Sequence, residues 1–249
     1  PRLVPQMADA EAVLAGVARI PGLVSSGLVL NERGAIRALE TAVHEVNVVV
    51  VCTDAFSERN SGMSTADAVA MAGKVSSLVS REHRRVSVTL AAAFGCPFSG
   101  EVPVERVADL ARQCAVQGVS EIGLADTIGV GVPADVRRLV AAVRSAVPSH
   151  VRLRAHFHNT RNTGYANAVA AVEEGLDVLD SSVGGIGGCP FAPNATGNIA
   201  TEDLVYLLHR SGIETGLDLE RLRADAVWVG EQLGKQVHGL LSRAGGFQS

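Results

Sequence analysis

Two histidines that stand two residues apart are the first candidates for chemistry in this sequence. His156 and His158 occur in the stretch HFHNT, at the end of the run HVRLRAHF. Residues two apart on a strand point to the same face, so both imidazoles can aim into one cavity. Neutral imidazoles arranged in this way can bind a divalent metal. An H-x-H pair is a weak signal by itself, and its alternative is two ordinary polar residues at a strand end.

A glycine-rich stretch with a single cysteine follows the histidine pair. The run GGIGGCPFAPNATGN covers 184–198 and contains Cys189. Gly187 and Gly188 permit backbone conformations that other residues avoid, which indicates a mobile lid loop that delivers a thiol to a site. Asn198, at the end of the run, can offer an amide oxygen to a metal. The alternative is a flexible connector in which the cysteine is incidental.

Two aspartates lie at or near the ends of two predicted strands. Asp126 lies in GLADTIG and is a candidate catalytic or supporting carboxylate, with a helix-capping role in the following loop as its alternative. Asp180 precedes two serines, and we leave open whether it packs beneath the cysteine loop or contacts substrate. Two imidazoles, an amide oxygen and a carboxylate together suit a fairly hard divalent cation.

The elements that must position these residues alternate between strand and helix. Short β-branched runs predict six strands, at 22–30, 45–52, 84–92, 120–126, 150–157 and 176–182. Helical periodicity between and after them predicts helices that include 103–118, 133–147, 162–175, 201–212 and 218–234. This order implies a parallel sheet in an α/β fold.

A closed parallel barrel needs eight strand–helix units, two more than these strands provide. The chain opens with a predicted helix at 7–20 that has no strand before it. One interpretation is an open six-stranded sheet. We favour the other, a (β/α)8 TIM barrel that lacks its first one to two strand–helix units in this sequence, with 1–249 forming a single, N-terminally incomplete domain. Functional residues of such a barrel lie at the carboxyl ends of the strands.

Composition excludes several classes of protein. The 249 residues are 47% hydrophobic and 19% charged, which is typical of a globular chain. The net charge of −4 and the lack of a basic tract argue against nucleic acid as a partner. No apolar run reaches the length of about 18 residues that a membrane span needs. Four scattered cysteines without a C-x-x-C pair favour a reducing cytoplasm.

Several stretches together carry a resemblance to a known family. HFHNT, LADTIGVGVP and DSSVGGIGGCPFAPNATGNIATEDLVYLL strongly resemble 3-hydroxy-3-methylglutaryl-CoA lyases, and VPQMAD, AFSERN and AAFGCPFSG are also similar to that family. The resemblance runs along the whole chain and is most specific in the glycine-rich stretch. It implies a metal-dependent TIM-barrel lyase that acts on an acyl-CoA substrate.

The resemblance also implies roles for individual residues. His156, His158 and Asn198 would bind Mg²⁺ or Mn²⁺, and Glu202 would support the metal site from behind. Cys189 would be the thiol that helps protonate the departing enolate, and Asp126 would lie beside the reacting hydroxyl. The expected catalytic set is therefore Cys189, Asp126 and His156, with Glu202 and Asp180 around the ligands.

The sequence departs from the family pattern at some positions. The Arg-Asp pair after the family's first strand and the Glu of its second strand do not occur here, in keeping with the count of six strands. Asn159 replaces the usual Asp after the second histidine, Thr53-Asp54 replaces Ser-Glu, and Leu30 replaces Pro. These changes concern the acyl group more than the type of reaction.

The expected activity is cleavage of 3-hydroxy-3-methylglutaryl-CoA to acetyl-CoA and acetoacetate. Three alternatives stay open: a lyase for a related thioester such as citramalyl-CoA, a Claisen-type condensing acyltransferase, and a metal-poor barrel without catalysis. The predicted helices over 218–241 can pair between two copies, so we expect a homodimer.

Overall fold

Six parallel strands form the centre of the fold. A computed structural model of the chain describes residues 7–188 and 197–247. The strands are β1 (Ser26–Val29), β2 (Glu45–Val51), β3 (Arg85–Ala91), β4 (Glu121–Asp126), β5 (Arg152–Phe157) and β6 (Val178–Asp180). They pair in chain order, and every pair is parallel. All six predicted strands are confirmed, within a few residues at each end.

Helices connect the strands, as parallel pairing requires. In chain order they are α1 (Ala10–Val17), α2 (Glu32–Leu39), α3 (Asp54–Ser61), α4 (Thr65–Arg81), α5 (Val104–Ala115), α6 (Pro133–Ala146), α7 (Gly164–Glu173), α8 (Thr201–Arg210), α9 (Leu219–Leu233) and α10 (Leu241–Ala244). Among the described residues, none of these helices is both long and apolar enough to cross a bilayer.

The two faces of the sheet differ in chemistry. Strand residues that face the helices are apolar and fully or almost fully buried, among them Val46, Val48 and Val50 of β2, Val88 and Leu90 of β3, and Leu153 and Phe157 of β5. The alternate residues face the concave side and are mostly polar. The helices therefore cover an aliphatic core, and the concave side is left for polar groups.

The sheet curls into part of a barrel. Among the described residues β1 pairs only with β2 and β6 only with β5, so the ring is not closed between them. This curved α/β sheet agrees with the predicted TIM barrel that lacks some strand–helix units. The assignment of 1–249 to one domain stays a prediction.

Candidate active site

A cavity of about 1160 Å³ occupies the concave side of the sheet. It is lined by the predicted ligands, one supporting carboxylate and the lid glycines: His156, His158, Asn198, Asp180, Gly187 and Gly188. The cavity also receives polar side chains from strands β2 to β5. The histidine pair and the two described ends of the glycine-rich stretch therefore lie at one site.

The histidine pair lies at the end of β5. The ring centroids of His156 and His158 are 5.2 Å apart, because residues two apart on an extended backbone share a face. His158 is only 4% exposed, whereas the side chain of His156 is 30% exposed. The two imidazoles therefore form one cluster, with one ring deep and the other open to the cavity.

Asn198 is held against His158 by the backbone. The two residues form an isolated antiparallel bridge, and Nδ2 of Asn198 donates to the carbonyl of Ile186 at 2.9 Å. This bond orients the amide and leaves Oδ1 buried without a partner among the described residues. Nδ1 of His158 is likewise buried and unpartnered there. Unsatisfied buried polar atoms are unfavourable, so a pair of them in one cluster indicates a binding site.

His158 is kept neutral in this position. Burial lowers its pKa to about 4 and the neighbouring His156 acts in the same direction, while the nearby Asn198 side chain and Thr127 backbone have smaller, opposing effects. A metal binds the neutral imidazole, so the deep histidine needs no deprotonation before binding.

The donor types fit a divalent cation. Two imidazoles and an amide oxygen suit Mg²⁺ or Mn²⁺ when oxygen ligands complete the shell. Within residues 7–188 and 197–247, no group of three His, Cys, Asp or Glu side chains forms a metal cluster. The assignment of His156, His158 and Asn198 as metal ligands therefore stays a prediction.

Asp180 lies beside the more exposed histidine. Its Oδ2 is 3.3 Å from Nδ1 of His156 and also contacts Arg154. Burial acts to raise the pKa of Asp180, but His156 and Arg154 together hold it below its usual value. Asp180 is therefore an ionised carboxylate on a candidate ligand, as the expected supporting role requires.

Glu202 lies behind the glycine-rich stretch at the start of α8. It is fully buried, and its Oε2 accepts from the amide of Gly184 at 3.0 Å. Its Oε1 has no partner among the described residues, and its pKa is raised by burial. The observed contact is with the short 3-10 turn Val183–Gly185, so its support for the metal site stays a prediction.

Both ends of the cysteine loop lie at the cavity. Gly187 (φ 98°) borders Asn198, and a Cβ added at Gly197 (φ 110°) would run into the carbonyl of Gly187. The carbonyl of Gly197 accepts from the amide of Asn159 at 3.0 Å. Glycine is required where the two stems approach so closely. Cys189 itself lies outside the described residues.

Asp126 is not among the residues that line the cavity. Its neighbour Ala125 pairs with His156 and shares its face, so the Asp126 side chain points to the other face. Its two carboxylate oxygens accept from the amides of Val130 and Gly131, each at 2.9 Å. Burial raises its pKa, and these amides oppose the shift. The carboxylate thus fixes the loop after β4, which matches the alternative of a local role, and its catalytic role stays a prediction.

The departures from the family pattern make local contacts. Oδ1 of Asn159 accepts from the amide of Gly164 at the start of α7, and Asp54 accepts from the amide of Thr65 at the start of α4. Thr53 donates to the sulfur of Cys96 at 3.0 Å. Leu30 differs from them because it lines the cavity, and it is the change that can touch substrate.

Sequence reasoning missed a set of polar residues on the inner face. Arg154 of β5 contacts Glu121 of β4, Thr89 of β3 and Asp180 of β6. The signal was present, because polar residues alternate with apolar ones in RVSVTLA and RLRAHF and in the first half of EVNVVVV. Polar residues at every second position of a buried parallel strand indicate a polar interior.

Fold and site together define an α/β protein with a TIM-barrel-like parallel sheet and a polar site at the carboxyl ends of its strands. Comparison with protein families narrows this class. The HMGL-like family model matches residues 4–229, and the chain belongs to that family.

Individual relatives cover most of the chain. It is 42% identical over 222 residues to the 3-hydroxy-3-isohexenylglutaryl-CoA/hydroxymethylglutaryl-CoA lyase of Pseudomonas aeruginosa, covering 89% of this chain and 74% of the relative. It is 39% identical over 255 residues to the (R)-citramalyl-CoA lyase of Chloroflexus aurantiacus, covering 98% and 80%. The structure of an HMG-CoA lyase from Acinetobacter baumannii with coenzyme A and 3-methylmalate matches with a TM-score of 0.94 and 35% identity, covering 100% and 81%. The family resemblance inferred from the sequence is confirmed.

Proposed function

We propose that this protein cleaves 3-hydroxy-3-methylglutaryl-CoA to acetyl-CoA and acetoacetate in a reaction that depends on a divalent metal. The observation that carries the proposal is the cluster of His156, His158 and Asn198 at the cavity, in which Nδ1 of His158 and Oδ1 of Asn198 are buried without partners among the described residues. It occurs in a chain whose relatives are named as lyases for thioesters of this kind.

The reaction makes three chemical demands on the site. The tertiary hydroxyl at C3 loses its proton, the C2–C3 bond breaks as C3 becomes a ketone, and the electron pair passes into the thioester as an enolate. A proton must then reach C2 to give acetyl-CoA. The site therefore needs a means of acidifying the hydroxyl, a base and an acid.

The residues present can hold the metal. His156, His158 and Asn198 would bind Mg²⁺ or Mn²⁺, which when bound polarises the substrate hydroxyl as a Lewis acid. His158 contributes a neutral ring from a buried position. Asp180 orients His156 from its other ring nitrogen.

Cys189 is the proposed acid that protonates C2. The support comes from the sequence and from the loop stems, because Gly188 and Asn198, which flank the loop, both line the cavity. A thiol with its ordinary pKa of about 8.5 is a suitable donor near neutral pH. The loop would also exclude water from the enolate. Asp126, the last residue of β4, is the candidate base. His156, with Nδ1 against Asp180 and its other ring nitrogen towards the metal, would act as a ligand.

Citramalyl-CoA is the second candidate substrate. At 39% identity the citramalyl-CoA lyase relative falls within the 33–42% range of the hydroxymethylglutaryl-CoA lyases, and its match covers 98% of this chain. Leu30 lines the cavity at a position where the family has proline. Both substrates undergo the same C2–C3 cleavage, so this choice changes the acyl pocket and not the mechanism.

The decisive experiment measures acetyl-CoA release by the full-length protein with Mg²⁺ or Mn²⁺. Release from 3-hydroxy-3-methylglutaryl-CoA that EDTA abolishes supports the proposal. Release from citramalyl-CoA alone keeps the chemistry and moves the substrate. Free CoA formed from acetyl-CoA and a 2-oxo acid would instead indicate a condensing acyltransferase, and a metal-bound protein without any of these activities would refute the proposed reaction.

Two further proposals concern the setting of the enzyme. A cytoplasmic location is supported by the cysteines, because Cys52, Cys96 and Cys114 are all free.

A homodimer is supported by the exposed apolar side chains of α9, among them Val227 (45%), Trp228 (58%) and Leu233 (49%). Sedimentation of the wild type against Trp228→Glu tests the dimer, and a monomeric wild type would refute it.

A further inference from the structure

Arg154 is a buried arginine inside the curved sheet. Its side chain is 12% exposed, and it lies on β5 two residues before His156. Nε donates to Oε1 of Glu121 at 2.8 Å, Nη2 donates to Oγ1 of Thr89 at 2.8 Å, and Nη1 contacts Oδ2 of Asp180. One guanidinium therefore connects four neighbouring strands through its fixed fork of donors.

The sheet provides a slot for this guanidinium. Gly123 of β4 pairs in register with Arg154, and a Cβ added there would lie 2.9 Å from Nη2 and 3.0 Å from Cζ of the arginine. Any other residue at position 123 would displace the arginine side chain. Because Gly123 has no side chain, it leaves the space that the Arg154 guanidinium occupies.

A chain of hydrogen bonds runs from Arg154 across β3 to β2. Thr89 donates to Oδ1 of Asn47 at 3.1 Å, and Nδ2 of Asn47 donates to Ser87 at 2.8 Å. Ser87 in turn donates to Glu45 at 2.7 Å. Buried polar networks are rigid when their members are satisfied. Arg154 is therefore held in place by residues that lie away from the histidines.

At its other end the network reaches a candidate metal ligand. The oxygen of Asp180 that contacts Arg154 is also the one that lies 3.3 Å from Nδ1 of His156. A carboxylate on one ring nitrogen keeps the proton there and leaves the other nitrogen's lone pair available. Without Arg154, the Asp180 side chain would lose the contact that fixes its direction.

We propose that Arg154 is a positioning residue, which holds Asp180 against His156 so that the ring stays in the Nδ1–H form with Nε2 ready to bind the metal. This inference rests on the proposed function, in which His156 is a ligand. It assigns a task at the site to a residue that neither lies at a strand end nor belongs to the stretches that carry the family resemblance.

The test measures the tautomer of His156 by long-range ¹H–¹⁵N NMR of the metal-free full-length protein, at a pH above the ordinary pKa of histidine. The wild type should show Nδ1–H. Arg154→Met should shift the population towards Nε2–H and weaken Mn²⁺ binding, followed by EPR, roughly ten- to a hundredfold. Arg154→Lys keeps the charge, so its tautomer population and its Mn²⁺ affinity should lie between those of Arg154→Met and the wild type.

Thr89→Val is the matched control. It removes one partner of Arg154 but keeps the Glu121 and Asp180 contacts, so the tautomer should change much less than in Arg154→Met. If Arg154→Met does not fold, Arg154→Met/Glu121→Gln, with one buried carboxylate fewer, replaces it. A folded variant with wild-type tautomer and Mn²⁺ affinity would overturn the proposal, as would a wild type in the Nε2–H form. Wild-type protein that binds no Mn²⁺ would instead refute the metal site, while the tautomer would still decide the role of Arg154.

Discussion

At the scale of residues, the site is marked by polar atoms whose hydrogen-bonding capacity is unused. Nδ1 of His158 and Oδ1 of Asn198 are buried without partners among the described residues, although the same residues make other contacts. Burial of an unpaired polar atom costs on the order of 1–3 kcal/mol. A fold tolerates this cost in the ligand-free state where a bound ligand satisfies such atoms in the functional protein.

Cys189→Ala should lower turnover by orders of magnitude and leave the fold and Mn²⁺ binding intact. The substitution removes the thiol that is the proposed proton donor to the enolate. Turnover and Mn²⁺ affinity should be measured on the same preparation. Cys114→Ala is the control, because that thiol is fully buried in α5 and its pKa is raised by burial to about 12. A full rate in Cys189→Ala would exclude the thiol from the mechanism.

Asp126→Asn should lower the free energy of unfolding by about 1–3 kcal/mol. The carboxylate accepts from two loop amides, and an asparagine has a single acceptor oxygen and places an NH₂ group against the other amide. Denaturant unfolding gives this loss, and acetyl-CoA release measured in parallel reports any catalytic role. Unchanged stability would contradict the anchoring of the loop. A loss of rate far beyond the loss of folded protein would support the carboxylate as a base.

At the scale of elements, the sequence predicted the strand-end residues of the site but not the polar contacts inside the curved sheet. Glycine-bounded helices and β-branched runs placed His156 and His158 at a strand end, because periodicity is a local property. The side on which Asp126 points depends on register, and a shift of one residue reverses it. The link between Arg154 and Asp180 joins two strands and needed the three-dimensional pairing. The family resemblance supplied roles that spacing alone left open.

Gly123→Ala should destabilise the protein by about 1–3 kcal/mol, since it overpacks the slot that Arg154 occupies. Gly16→Ala is the matched control: it lies in α1, has no atom within 4 Å of an added Cβ, and should be neutral or stabilising by less than about 1 kcal/mol. Thermal unfolding of both variants against the wild type measures the difference. Equal stability of the two would show that Arg154 is not confined at Gly123.

Asp177 connects three elements and should make stability depend on pH. Its Oδ2 accepts from the amide of Leu153 at 2.7 Å and from Arg144 of α6 at 2.9 Å. Partial burial acts to raise its pKa, but the Leu153 amide and Arg144 hold the pKa below its usual value.

A pKa lowered by folding stabilises the protein above the unfolded value, about 3.9 for aspartate, and this contribution is lost as the pH falls through the folded value. Thermal melts of the wild type should therefore fall more steeply below about pH 4 than those of Asp177→Asn. Identical slopes in the two proteins would contradict the link.

At the scale of the whole molecule, the two faces of the curved sheet have different tasks: one packs the aliphatic core and the other carries the candidate site. The convex face packs aliphatic residues such as Val48, Leu124 and Leu153 beneath the helices. The concave face carries the polar network and the cavity of about 1160 Å³. A bound metal on the concave side should thus stabilise the folded state without changing the aliphatic core.

Mn²⁺ should raise the melting temperature of the whole protein. A ligand that binds only the folded state at a hundred times its Kd stabilises it by about 2.7 kcal/mol, and about 2–4 °C per kcal/mol is typical for chains of this size. The expected rise is therefore roughly 5–10 °C, reversed by EDTA. His158→Ala, which removes the deep candidate ligand, should lose most of the rise. His150→Ala, which changes an exposed histidine just before the same strand, should keep it. An equal rise in both variants would show that Mn²⁺ binds elsewhere, and no rise in the wild type would leave the buried acceptors of His158 and Asn198 without their proposed ligand.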